Sequence, residues 1–143
     1  MQLTNQDFAE IVESLRGSGV PSDGYERRQA TRVSVQTAVF AAPLVGGRPG
    51  SVRTMLTRDL SLTGVGLIQS TPVSENEAMI VKLPKVSKRP VFVLVKPVQC
   101  RLLAESIYAI GAQFVSVVNL PPQDAERFER PDAVNRLRAS VLT

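Results

Sequence analysis

From residue 32 onward the apolar side chains recur at every second position, in short runs cut off by Gly, Pro or small polar residues. That spacing constrains the fold most, because a period of two belongs to pleated strands with one face buried. Val33, Val35, Thr37 and Val39 form the first run, followed by a Gly- and Pro-rich loop from Pro43 to Gly50. Further runs cover Val52–Arg58, Val65–Gln69, Ala78–Leu83, Val91–Leu103 and Ile107–Val117. In the second run Val52, Thr54 and Leu56 share one side. Val91–Leu103 is too rich in Val for a helix, and Pro97 within it implies an edge position or a bulge. Six strands with turns at close spacing predict a mainly β chain, an antiparallel barrel or sandwich.

Helical pieces flank this region. Thr4 and Asp7 have the spacing of a capping box, and Phe8, Ile11, Val12 and Leu15 lie on one stripe of a helix over residues 4–16. A helix this short is marginal alone, so it docks on its own domain or on a second copy, and a homodimer is left open. Gly17, Gly19, Pro21 and Gly24 then mark a linker. After Pro122 the chain turns helical again, first over Gln123–Glu129 and then from Pro131, with Val134, Leu137 and Val141 as its stripe. The expected organisation is an N-terminal helix and linker over 1–25, a β domain over 26–118 and a C-terminal helical extension over 119–143.

Composition removes several functions. The 143 residues contain no histidine and one cysteine, Cys100. No intrachain disulfide and no Cys–His catalytic pair can form, and the usual zinc-ligand sets lack a member. Cys100 lies in an apolar pattern and reads as an inert thiol. No nucleophile with a base and no acidic metal cluster stands out, so the chain is not expected to be an enzyme or to carry a cofactor or metal. No apolar run reaches the roughly 18 residues of a membrane span, and no cationic-then-apolar leader opens the chain, which points to the cytoplasm. The net charge of +4 favours an anionic partner. A single-stranded nucleic acid would need stacking platforms, whereas the aromatics are few and Phe92, Tyr108 and Phe114 are spaced as core residues. DNA and RNA are therefore not the expected partners. Lys85, Lys88 and Arg89 read as a solvent-facing basic loop.

Two short pieces carry the chemistry. Arg27, Arg28 and Arg32 precede the first strand, and Asp59, Ser61 and Gly64 follow the second. A hairpin returns its ends to one another, so the two pieces can share one sheet edge. Arginine forks suit phosphate oxygens and the O6/N7 edge of guanine, and a carboxylate accepts from the opposite guanine edge. Ser61 can donate to a phosphate or a base. Gly64 permits positive φ or close approach of a ligand. The bland alternatives are a solvated basic patch and a turn capped by Asp and Ser.

The pattern Arg28-x-x-x-Arg32 followed by Asp59-x-Ser61-x-x-Gly64 resembles the PilZ domain, a family of bacterial receptors for cyclic di-GMP. Ile110-Gly111-Ala112-Gln113-Phe114 is similar to the family's closing strand, so the resemblance spans about residues 26–118. It implies a six-stranded antiparallel PilZ-like β-barrel and a non-enzymatic receptor that signals to a downstream protein. Arg28 and Arg32 would grip phosphate and guanine, Arg27 would add a contact, and Asp59, Ser61 and Gly64 would complete the site. The alternative is a PilZ-like module that acts through protein contacts or dimerisation. Micromolar affinity requires about −8 kcal/mol, and one bidentate Arg–guanine pair supplies roughly 1–3 kcal/mol, so several contacts must act together.

Overall fold

The computed structural model describes residues 1–16, 32–74, 77–85 and 88–129, with Lys88 described by its backbone. The expected linker, Arg27, Arg28 and the helix from Pro131 lie outside the described residues. In chain order the elements are α1 (Asn5–Arg16), β1 (Val33–Ser34), β2 (Ala38–Val45), β3 (Arg48–Pro49), β4 (Arg53–Leu60), β5 (Gly64–Gln69), β6 (Met79–Lys85), β7 (Lys88–Ala104), β8 (Ile107–Val118) and α2 (Pro122–Arg127).

The chain is mainly β, and every strand pairing is antiparallel. The sheet order is β1-β4-β5-β8-β7-β6-β2-β3, and a further β4–β2 pairing closes six of these strands into a ring. Val39, Met55, Leu67, Val81, Val93, Ile110 and Phe114 fill the interior. They sit at alternate positions of their strands, as a period of two requires. The stripe of α1 (Phe8, Ile11, Val12 and Leu15) packs into the same core. The Thr4 hydroxyl accepts the Asp7 N–H at 3.0 Å and so caps that helix as its sequence implies.

β2, β6 and the first half of β7 carry apolar residues on both faces because both are largely covered. Their outward residues Phe40, Ala42, Ile80, Phe92 and Leu94 join Val52 and Phe128 in a second cluster. Phe128, at the end of α2, is fully buried and meets the Phe92 ring edge-on at 5.2 Å between centroids. Arg127 donates to the Pro49 and Gly50 carbonyls, and Arg48 pairs with buried Asp124 at 2.9 Å. These bonds tie α2 to the β2–β3 hairpin.

Two expectations change. The first strand is interrupted, because β1 ends at Ser34 and β2 begins at Ala38. Buried Thr57 spans the gap. Its hydroxyl accepts the Thr37 N–H at 3.0 Å and lies 2.9 Å and 3.0 Å from the Val35 and Thr37 carbonyls. Thr57→Val keeps the shape but strands the Thr37 N–H, so a loss of about 2 kcal/mol is expected in chemical denaturation. The Pro43–Gly50 loop narrows to a two-residue turn, Gly46-Gly47, both at positive φ as a tight hairpin demands. Thr54 and Leu56 do share one side of β4, the exposed outer one, with Met55 and Thr57 as the inward residues.

Lys85 also departs from the solvent-facing expectation. It ends β6 and binds Asp7 of α1 at 2.8 Å, with Glu10 at 3.8 Å. The hydrogen bond to Asp7 holds the Lys85 ammonium above the ordinary lysine value of 10.5. A raised folded value stabilises the protein below the unfolded value, and that contribution is lost as pH climbs through the folded one. The stability advantage of wild type over Lys85→Met, followed by denaturant melts, is therefore expected to hold from neutral pH into the ordinary lysine range and shrink above it.

Candidate functional site

The closed ring leaves one outer stretch of sheet, over β4, β5, β8 and the second half of β7, outside the apolar cluster that α2 covers. The β1–β4 pairing sets Val33 against Leu60 and Ser34 against Asp59, which delivers the residue before β1 to this face. Arg32 there donates from Nη1 to Asp59 Oδ1 at 2.9 Å. The arginine side chain is 51% exposed and the carboxylate 22%. An ion pair this open is worth about 0–1 kcal/mol, so it orients the two groups more than it stabilises the fold.

A bulge shapes the site. Thr57 pairs with Leu67 and Asp59 with Gly66, so Arg58 is an extra residue in β4. Thr57 and Leu60 both point into the core, and the two residues between them both line the outer groove. Strict alternation would have sent Arg58 and Asp59 to opposite faces. The carboxylate lies over Gly66, where an added Cβ would run into Asp59 Oδ1. Gly66 is thus part of the site because it makes room for Asp59.

Ser61 and Gly64 are placed differently from the arginine and the carboxylate. Ser61 is 6% exposed, and its hydroxyl accepts the Gly64 N–H at 3.1 Å and the Thr63 N–H at 3.3 Å. Its backbone N–H donates to the Gly64 carbonyl at 2.9 Å. The hydroxyl is committed to the turn. Gly64 does not use positive φ; positive-φ glycines among the described residues are Gly46 and Gly47. A Cβ at Gly64 would collide with the Ala112 carbonyl of β8. Ser61 and Gly64 therefore hold the turn and the β5–β8 contact behind Asp59.

Arg32, Arg58, Asp59, Gly66, Gln99, Arg101 and Gly111 line one open groove, with about 560 Å³ of empty space that includes open solvent. Three arginines against one carboxylate leave it cationic. The motif spacing brought Arg32 to Asp59 but gave no sign of Arg58, Gln99 or Arg101. The signal for Gln99 lay in Pro97. A bulge follows that residue, because Pro97 pairs with Ala112 and Gln99 with Gly111, leaving Val98 extra. Among the described residues no group of His, Cys, Asp and Glu is placed to hold a metal ion. No described helix is long and apolar enough to cross a membrane.

No family model matches the chain, and no curated protein matches it. Among solved structures, that of K. pneumonia MrkH in its apo state is similar over 79% of this chain and 53% of that one, at 22% identity and a TM-score of 0.42. The chain thus spans about half the length of that neighbour.

Proposed function

We propose that this protein is a non-enzymatic receptor for cyclic di-GMP built on a PilZ-like barrel. The observation that carries the reading is the 2.9 Å bond between Arg32 and Asp59, which joins residues from the two separated motifs at the rim of a cationic groove. A guanine dinucleotide matches this chemistry. Its two phosphodiesters suit guanidinium groups, and a guanine N–H edge suits the Asp59 carboxylate. Arg32 and the neighbouring Arg27 and Arg28 grip phosphate and guanine, while Ser61 and Gly64 keep the turn that aims Asp59. Contacts to the ligand from the arginine-bearing arm, of which residues 17–31 lie outside the described residues, change the surface offered to a downstream protein.

Titration calorimetry with cyclic di-GMP tests the reading, and micromolar or tighter binding is expected. Absence of heat at ligand concentrations far above that range would remove it. A second reading, a protein-interaction or dimerisation module, draws on the exposed Leu102, Leu103 and Ile107 around the β7–β8 turn. Solution mass with and without ligand separates the two: a dimer that ignores the nucleotide favours the second.

A further inference from the structure

We infer that the groove has a second wall, on β7, and that Gln99 and Arg101 hold the part of the ligand that Arg32 and Asp59 do not reach. The inference rests on the receptor reading above and assigns residues outside the two motifs.

Strand register places the wall. Asp59 pairs with Gly66, Gly66 with Gly111, and Gly111 with Gln99, so the four form one row across β4, β5, β8 and β7. Cross-strand partners present their side chains on the same face. Neighbouring strands lie about 4.8 Å apart, so Asp59 and Gln99 stand roughly 14 Å apart at the backbone. Arg101 pairs with Ala109 two rungs along, on the same face as Gln99, and also lines the groove. The row is flanked by a bulge at each end, Arg58 on one side and Val98 on the other. Bulges re-aim side chains: the first puts Arg58 beside Asp59 on the outer surface, and the second turns Gln99 outward although Pro97, two places earlier, is buried.

The floor between the walls gives the second argument. Gly66 is accounted for by the Asp59 carboxylate above it, but nothing inside the protein accounts for Gly111. A Cβ there would meet Gln99 Cβ at 3.7 Å and Oε1 at 3.9 Å, both ordinary contacts. Glycine weakens a strand interior, and its presence marks a place where something approaches the backbone closely. Gly111 leaves a bare patch between a carboxylate and an amide, wide enough for a flat ring to lie on the strand. The Gln99 amide offers both a donor and an acceptor to a base edge, and Arg101 offers a fork to a phosphate or to guanine.

Calorimetry with cyclic di-GMP on the full chain tests this. Arg101→Ala, Gln99→Ala and Gly111→Val are each expected to weaken binding by roughly tenfold, the weight of one good polar or stacking contact. Thermal melts are expected to stay at or above wild type for Gly111→Val, since Val suits a strand better than Gly. Should that variant melt early, Gly111→Ala replaces it. If Arg101→Ala and Gln99→Ala both change affinity by less than about threefold while Arg32→Ala weakens binding about a hundredfold, the second wall is refuted and the receptor reading stands. If wild type gives no heat at all, both fall together.

Discussion

Replacing Arg32 with alanine is expected to weaken cyclic di-GMP binding by about a hundredfold while leaving the fold intact. Arg32 stands at the junction of the two motifs, where its guanidinium shares a carboxylate with the groove. A charge-assisted hydrogen bond contributes roughly 1.5–3 kcal/mol, and about 2.8 kcal/mol corresponds to a factor of one hundred. The loss is enlarged because Asp59, freed of its partner, places a net negative charge beside an anionic ligand. Stability responds far less. The pair is half open to solvent, so its removal changes unfolding free energy by about 1 kcal/mol or less. Calorimetry and a denaturant melt on the same preparation check both halves. Unchanged affinity would place the ligand elsewhere on the molecule.

Gly64→Ala is expected to act the opposite way, through the fold. The added methyl has no space, because it points at the Ala112 carbonyl of a paired strand rather than at a flexible side chain. β5 and β8 are joined from Gly64↔Gln113 to Gln69↔Tyr108, and relief requires their first rungs to separate. Overpacking of this kind costs about 1–3 kcal/mol, and strained or broken ladder bonds bring the expected loss to about 3 kcal/mol. Ligand affinity falls only as far as the turn behind Asp59 is displaced. A chemical melt that shows wild-type stability would mean that Gly64 serves the ligand and not the β5–β8 contact. The two variants together separate the motif into a part that touches solvent and a part that holds the turn.

The alternation of Val33, Val35, Val39 and their counterparts determined by itself that the chain is mainly β, because a period of two leaves one face to bury. The stripe of Phe8, Ile11, Val12 and Leu15 likewise determined α1 and its docking face, and the core it enters is the strands' own. The spacing of a hairpin was enough to return Arg32 to Asp59. Tertiary structure alone decided the rest. A bulge is a mismatch between two strands and has no signature within one of them, so the shared outward face of Arg58 and Asp59 was invisible to a period of two. Gln99 and Arg101 lie more than 60 residues from Arg32 and share its groove because the strand order β4-β5-β8-β7 sets their strand three places from β4. Gly64 read as a turn residue in the sequence and is a contact residue in the fold, since the carbonyl that excludes a side chain there belongs to a strand nearly 50 positions away. Local pattern fixes which residues leave water, whereas strand order and register fix which polar residues meet.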